Sequence, residues 1–299
     1  MPQDNLVLSI CICTYNRCES LKITLRSLAK QHEIPLLAEV LVVDNNSDDA
    51  TRSVTDEFHT ALPIRVVHEK KQGLSHARNR AVAESRGDVL LFTDDDVVFD
   101  ADWLSAYARA CADFPAATFF GGRILPDWGG EKPRWLAGEC LPLIDGVVVW
   151  YDHGTQTRLF TPNEPSPFGA SFAVRRRLLE EVGGFRTDLG RAGASLGRGE
   201  ETDFFLRAKQ EAAEGVYVGR ALCWHRIDRR RLKLWALYRY GIESGKAHKL
   251  ITGTHELGSL SRVPLHVARG LGQLLRGRGD RFRQSVINAG IEVGMRQVD

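Results

Sequence analysis

Strand-like and helix-like segments alternate along the first 120 residues of this 299-residue chain. Runs of apolar and β-branched residues predict strands at 6–14, 39–44, 64–68, 88–93 and 117–120. Segments with apolar residues at helical spacing separate them, at 20–31, 48–59, 74–85 and directly after Asp100. Because parallel strands need crossover helices, this alternation predicts an α/β fold with a mostly parallel sheet flanked by helices.

The composition is that of an ordinary globular protein that can bury its own core, with 43% hydrophobic and 26% charged residues. The six cysteines form no CxxC pair, so we expect reduced thiols and a cytoplasmic protein, with Cys11 as a small core residue. The first apolar run is typical of a strand rather than a signal peptide. No segment approaches the ~20 apolar residues of a membrane span.

The chain changes character twice after residue 125. Residues 126–167 are irregular and rich in Gly, Pro and Trp, which is typical of a lid or binding loop. Further elements are predicted at 168–174, 175–184, 200–210 and 216–225. Residues 229–299 hold 14 Lys and Arg against 5 Asp and Glu, a net charge of +9, so the other 228 residues carry −7. We therefore predict an α/β domain over 1–226 and a basic helical extension over 227–299.

Polar clusters follow three of the predicted strands at their carboxyl ends. They are TYNR at 14–17, DNNSDD at 44–49 and TDDD at 93–96. Ligands of open parallel sheets bind at the carboxyl ends of the strands. We therefore expect the three clusters to meet in one crevice.

The three adjacent carboxylates of Asp94, Asp95 and Asp96 are the sharpest chemical signal. Such groups repel one another unless a cation or solvent offsets their charge. Carboxylate oxygens suit Mg²⁺ or Mn²⁺, and His225 at the end of the last strand could add an imidazole ligand. The alternatives are a solvated turn that caps the next helix and a structural histidine.

Glu200 and Glu201 begin a predicted helix. Negative charge is favourable in a first helical turn, and a carboxylate there could also accept a proton from a hydroxyl. The residues alone leave these two interpretations equal. Asp44 could accept protons from a nucleotide base, and Arg78 could contact a base or phosphate or pair with nearby acids.

The chain resembles family 2 glycosyltransferases of the GT-A fold in a series of motifs, which in order are TYNR, VVDNNSDD, GLSHARNRA, LLFTDDDV, GASFAVRR, GGF, GEETDFFLR and WH. The resemblance covers residues 6–226. It implies an inverting enzyme that moves a sugar from a nucleoside-diphosphate donor, commonly a UDP-sugar, to a hydroxyl of a saccharide or lipid-linked saccharide. It also implies a divalent metal cofactor, Mn²⁺ or Mg²⁺.

By matching position, the resemblance implies a role for each motif. The nucleotide-sugar contacts are Thr14, Tyr15, Arg17, Asp44, Arg78, Asp94 and Asp95. Asp96 matches a metal ligand, with Asp95 as the competing choice, and His225 matches a ligand found in part of the family. Glu201 stands in the place of the base aspartate, beside Glu200. Acceptor contacts are expected at Trp128, Trp135 and Ser171, although relatives often have Asn at the last position.

The basic tail has two interpretations. Residues 229–238 could form an amphipathic helix that rests on an anionic membrane carrying a lipid-linked acceptor, at the inner face of the cytoplasmic membrane. Alternatively, the tail packs on the catalytic domain or on a second copy in a homodimer. No nucleic-acid-binding module is recognised, so we expect no nucleic-acid partner.

Other functions have weaker support. A nucleotidyltransferase needs a Gly-rich basic loop after the first strand, and ICTYNRCES has none. A dehydrogenase needs a GxGxxG motif after a strand, which the chain also lacks. The alternative kept here is a non-catalytic nucleotide- or glycan-binding module with the same fold.

Overall fold

The computed structural model describes residues 6–32, 37–136, 146–161, 163–192, 197–253 and 262–298. The chain forms two compact units. The first unit comprises Met1–Leu125, Tyr151–Asp188 and Glu200–His225, and the second comprises Pro126–Trp150, Leu189–Gly199 and Arg226–Asp299. The chain passes into the second unit for the last time at Arg226, but two internal segments also belong to that unit. The division into domains at 226 stays a prediction.

One mixed sheet is the frame of the first unit. Its described strands are β1 (Leu8–Thr14), β2 (Leu37–Asp44), β3 (Ile64–His68), β4 (Val89–Asp94), β5 (Val97–Phe99), β6 (Phe119–Asp127), β7 (Thr157–Leu159), β8 (Phe172–Arg175) and β9 (Gly215–Arg226). Their order is β3-β2-β1-β4-β8-β6-β9-β5, and β7 pairs with β9. Strands β1 to β4 are parallel, whereas β8 pairs antiparallel with β4 and β6. The predicted α/β class is confirmed.

Six described helices accompany this sheet. They are α1 (Cys18–Leu28), α2 (Thr51–Asp56), α3 (Leu74–Glu84), α4 (Trp103–Asp113), α5 (Arg176–Val182) and α6 (Glu200–Gln210). Helix α2 is shorter than the predicted 48–59. It begins at Thr51, whose backbone N–H and hydroxyl donate hydrogen bonds to Asp49 ahead of the helix, and it ends at Asp56. Helix α5 ends as predicted at Gly183, whose φ of 79° lies in the region that favours glycine.

Apolar side chains from the sheet and helices fill the core of the first unit. Strand β1 is buried on both faces, which explains its continuous apolar run. Phe92, Phe172 and Phe205 lie in the same core cluster as Cys11, whose predicted core position is confirmed. Cys140 lies outside the described residues.

The second unit is helical where it is described. It contains α7 (Leu234–Thr252), α8 (Arg262–Leu275) and α9 (Gly279–Arg296), with short 3-10 helices at Arg134–Leu136 and Arg229–Leu232. Helix α9 packs against both α7 and α8. The core of this unit includes Leu232, Leu237 and Ile287. No helix in the described part of the chain is both long and apolar enough to cross a bilayer.

Candidate active site

The predicted convergence of strand ends is seen at β1, β2 and β4. Thr14 is the register partner of Asp44, and Cys13 that of Asp94. The hydroxyl of Thr14 donates a hydrogen bond of 2.7 Å to Asp95. The backbone N–H of Asn16 donates to the hydroxyl of Ser47 at 3.0 Å. All three polar clusters therefore lie at one edge of the sheet.

Arg17 binds two of the three adjacent aspartates. Its Nη1 lies 2.7 Å from Asp95 Oδ1, and its Nη2 lies 2.7 Å from Asp96 Oδ2. Burial raises the pKa of Asp95 to about 7, against the opposite effect of the Arg17 charge. Burial alone would lower the pKa of Arg17, but the carboxylates raise it above its usual value. The cluster therefore gathers more carboxylate charge than one guanidinium offsets.

Asp94, Asp96 and His225 form a candidate metal centre. Each can supply one ligand atom, and these atoms lie within 4.8 Å of one another. His225 Nε2 is 3.3 Å from Asp96 Oδ1. The antiparallel pairing of β5 with β9 sets Val97 opposite His225, which brings the histidine to the acidic turn. Two carboxylates and one buried imidazole are a donor set that fits a divalent transition metal such as Mn²⁺.

Arg78 connects this cluster to the start of α6. Its Nη1 lies 2.7 Å from Glu200 Oε1 and 3.6 Å from Glu201 Oε2, and its Nη2 lies 3.9 Å from Asp94 Oδ1. Burial and then the charge of Glu201 raise the pKa of Glu200 to about 8, against the opposite effect of Arg78. The Glu201 side chain is 21% exposed and that of Glu200 only 4%. Glu201 is therefore the more accessible carboxylate.

Sequence reasoning missed the tight packing around Arg78. The rings of Phe172 and Phe185 lie 5.9 and 5.5 Å from its guanidinium carbon. A Cβ added at Gly169 would lie 2.4 Å from Arg78 Nη2 and 3.1 Å from Glu201 Oε1. Glycine thus leaves room for the guanidinium and the candidate base. The only sequence signal was the small-residue run GAS before a strand.

Comparison with known proteins decides the family. The family model described as Glycosyl transferase family 2 matches residues 9–183, more than half of the chain. The chain belongs to glycosyl transferase family 2. The resemblance inferred from the motifs is therefore confirmed, and the chain is a glycosyltransferase.

Two curated relatives of this glycosyltransferase align over most of their length. Over 238 residues it is 28% identical to the glucosyl-dolichyl phosphate glucuronosyltransferase of Haloferax volcanii, covering 77% of this chain and 73% of the relative. Over 252 residues it is 29% identical to the succinoglycan biosynthesis protein ExoM of Rhizobium meliloti, covering 83% and 76%.

A solved structure supports the fold. The mannosyltransferase PcManGT from Pyrobaculum calidifontis, in complex with GDP-Man and Mn²⁺, superposes with a TM-score of 0.64 at 18% identity. The likeness covers 96% of this chain and 86% of that one. The predicted GT-A-type fold of this glycosyltransferase is thereby confirmed.

The three predicted acceptor residues of the glycosyltransferase lie in different surroundings. Ser171 is fully buried and its Oγ accepts a hydrogen bond from Trp103 Nε1 at 3.0 Å, with Tyr107 Oη at 2.9 Å. Trp128 and Trp135 pack against the core of the second unit, and the Arg283 guanidinium lies 4.1 Å from the Trp135 ring. Their roles at an acceptor stay predictions.

Proposed function

We propose that this glycosyltransferase is a metal-dependent inverting enzyme that uses a nucleoside-diphosphate sugar, with UDP-sugars as the first candidates. One observation carries the proposal. The guanidinium of Arg78 lies within 4 Å of both Asp94, in the candidate metal centre, and Glu201, the candidate base. A donor diphosphate at the metal centre would therefore lie close to the group that activates the acceptor.

The donor is proposed to bind along the strand ends. Thr14, Tyr15 and Arg17 would contact the nucleotide sugar from the first loop, together with Asp94 and Asp95. Asp44 lies beside Thr14 in the sheet and accepts a hydrogen bond from the Ser47 N–H with Oδ1. Its carboxylate has further acceptor capacity for the donor groups of a base.

Asp96 and His225 are the proposed protein ligands of the metal, with Asp94 as the third candidate. When bound, the ion would offset the charge that develops on the diphosphate leaving group. The imidazole in this donor set favours Mn²⁺ over Mg²⁺, because Mg²⁺ prefers a shell of oxygen ligands alone. We therefore expect higher activity with Mn²⁺.

Glu201 is the proposed general base. As the acceptor oxygen bonds to the anomeric carbon, the bond from that carbon to the diphosphate breaks and the diphosphate leaves with the electron pair. The proton of the acceptor hydroxyl passes to the Glu201 carboxylate. A single displacement of this kind inverts the anomeric configuration. Glu200 holds Arg78 in place behind the base.

The acceptor is proposed to be a saccharide or a lipid-linked saccharide. The names of the two relatives, which refer to glucosyl-dolichyl phosphate and to succinoglycan biosynthesis, support this class. A lipid-linked acceptor agrees with a cytoplasmic protein that works peripherally at the inner membrane face, which is part of the proposal.

Slow hydrolysis of the donor tests the proposal without knowledge of the acceptor. The purified chain is incubated with UDP- and GDP-sugars in Mn²⁺, in Mg²⁺ and in EDTA, and the free nucleoside diphosphate is measured. We expect release from one donor class that EDTA abolishes and that D96A also abolishes. Release that persists in EDTA would overturn the metal dependence. Absence of release from every donor would favour the non-catalytic alternative.

A further inference from the structure

Helix α8 carries an apolar face that points away from the rest of its unit. Apolar residues recur along it at positions i, i+3, i+4, i+7, i+10 and i+11, which form one stripe of a helix. The stripe consists of Pro264, Val267, Ala268, Leu271, Leu274 and Leu275, all of them exposed. Leu271 is 52% exposed and Leu275 is 89% exposed. A surface helix normally buries such a stripe.

The opposite face of α8 is the one that packs. A Cβ added at Gly270 would lie 3.1 Å from both Phe282 and Ser285 of α9. His266 Nε2 lies 3.8 Å from Glu292 of the same helix. The helix is therefore fixed with Gly270 and His266 inward and its apolar stripe outward.

Arginines lie on the polar side of the same helix. Arg262, Arg269 and Arg276 recur every seventh residue and form a row away from the apolar stripe, and Arg278 and Arg281 follow. All five are exposed, and Asp280 is the single acidic residue between positions 262 and 281. A helix with an apolar stripe on one side and arginines on its polar side has the pattern of a helix that lies in a membrane interface. An anionic lipid surface offers charge of the opposite sign next to a hydrocarbon layer.

We propose that α8 is a membrane-docking helix that lies in the interface of an anionic bilayer, with its apolar stripe among the acyl chains and its arginines at the lipid phosphates. The sequence analysis predicted this role for residues 229–238. In that segment Leu232 and Leu237 are buried in the core of the second unit and Leu234 and Trp235 are exposed, whereas every residue of the α8 stripe is exposed. The proposal does not depend on the donor, the acceptor or the metal.

Vesicle binding tests the proposal directly. The full chain is mixed with phosphatidylcholine vesicles or with phosphatidylcholine–phosphatidylglycerol vesicles, and the bound fraction is measured by co-sedimentation at low and high salt. We expect binding to the anionic vesicles that weakens with salt, and little binding to the neutral ones. The L271E/L275E variant should bind at least about tenfold more weakly, since two buried leucines contribute that much. R269Q/R276Q should reduce the preference for anionic lipid.

L159E is the matched control, because Leu159 is 45% exposed on β7. It should bind vesicles as the unchanged chain does. Circular dichroism checks that each variant is folded. As a second measurement, L271W should be quenched by brominated lipid, whereas L159W should not.

Three results would overturn the proposal. They are no binding to anionic vesicles at low salt, equal binding by L271E/L275E and the unchanged chain, and an unquenched L271W. A concentration-dependent dimer that L271E/L275E abolishes, without vesicle binding, would assign this face to a contact between copies instead.

Discussion

The guanidinium of Arg78 gives nearby carboxyl groups the polar contacts that water would otherwise provide, because these groups have little access to solvent. Its side chain is 3% exposed and that of Glu200 is 4% exposed, at a separation of 2.7 Å. R78M would remove the hydrogen-bond donor of Glu200, whose raised pKa lets it take a proton instead of remaining a buried charge, so we expect a loss of about 1–3 kcal/mol in unfolding free energy. R78K keeps the charge but not the forked geometry, and should lose less. Urea unfolding measures both.

The control for Arg78 is Arg80, two residues further along α3. Arg80 contacts Glu84 at 2.9 Å, but its side chain is 43% exposed. Exposed ion pairs contribute about 0–1 kcal/mol, so R80M should unfold almost as the unchanged chain does. Equal losses in R78M and R80M would contradict a structural role for the buried pair.

The proposed base, Glu201, can be tested with a single substitution. E201Q keeps the size of the side chain but cannot take a proton, so kcat with the natural acceptor should fall about 10²–10⁴-fold. Donor affinity measured by calorimetry should stay unchanged. E211Q, at an exposed glutamate just after the same helix, is the matched control. If E200Q lost kcat and E201Q did not, Glu200 would be the base.

Helices α7 and α9 approach each other closely through glycines. A Cβ added at Gly241 would lie 2.2 Å from the carbonyl oxygen of Ile287, and one added at Gly290 would lie 2.3 Å from that of Tyr238. Backbone cannot move aside as a flexible side chain can, so G290A should destabilise the chain by roughly 1–3 kcal/mol through overpacking. The change in Tm measures it.

Gly272 provides the control for this contact. It also lies in a helix, but a Cβ added there meets no atom within 4 Å. G272A should therefore leave Tm unchanged or raise it, because alanine is the better helix former by about 1 kcal/mol. A larger loss from G272A than from G290A would show that the two helices are not packed in this way.

Glu39 ties the first strands of the sheet together. It accepts hydrogen bonds from Ser9 Oγ at 2.9 Å, Arg65 Nε at 2.9 Å and Arg86 N at 2.7 Å. Burial opposes the charge, but these partners lower its pKa below the ordinary value of 4.5. A carboxyl group whose pKa is lower in the folded state than in the unfolded state stabilises the folded protein at pH values above the unfolded pKa. This contribution is lost as the pH falls through the folded pKa.

The stability difference between the unchanged chain and E39Q should therefore be largest at pH 7 and shrink from pH 5 to pH 3. Urea unfolding at the three pH values measures it. E57Q serves as the control, because Glu57 pairs with Lys22 but its side chain is 49% exposed. A difference for E39Q that grows as pH falls would contradict the assigned hydrogen bonds.

Local patterns predicted most elements and failed where an element is short. Helix α6 begins at Glu200 as predicted, and β3 and β4 lie within a residue of their predicted bounds. Strands β5 and β7 have three residues each, too few for a period to show. They exist because β9 offers edges for pairing, which is a long-range cause.

At the scale of the whole molecule, the strand-end rule predicted that the polar clusters would meet. It could not predict which charges pair. Arg17 and Asp96 are 79 positions apart, and Arg78 and Glu200 are 122 apart. Such pairs depend on sheet register and side-chain conformation, which leave no periodic trace in the sequence. The spacing of the apolar residues of α8 is visible in the sequence, but whether they face the protein or the solvent is not.

Ligand binding should stabilise the whole molecule if the proposed donor site exists in the native state alone. With Mn²⁺ and the nucleoside diphosphate at about 100 times Kd, the native state gains about 2.7 kcal/mol, which raises Tm. EDTA should cancel this gain. H225A should lose it, because His225 contributes to the candidate metal centre.

E201Q should keep the gain although it loses turnover, because the base is proposed to act on the acceptor and not on the donor. H59A is the control histidine, since His59 is exposed and pairs with Asp56 at 3.4 Å. A gain in Tm that persists in EDTA, or that H225A and H59A reduce equally, would show that nucleotide binding does not depend on the centre formed by Asp94, Asp96 and His225. Nucleotide binding would then depend on the strand-end loops alone.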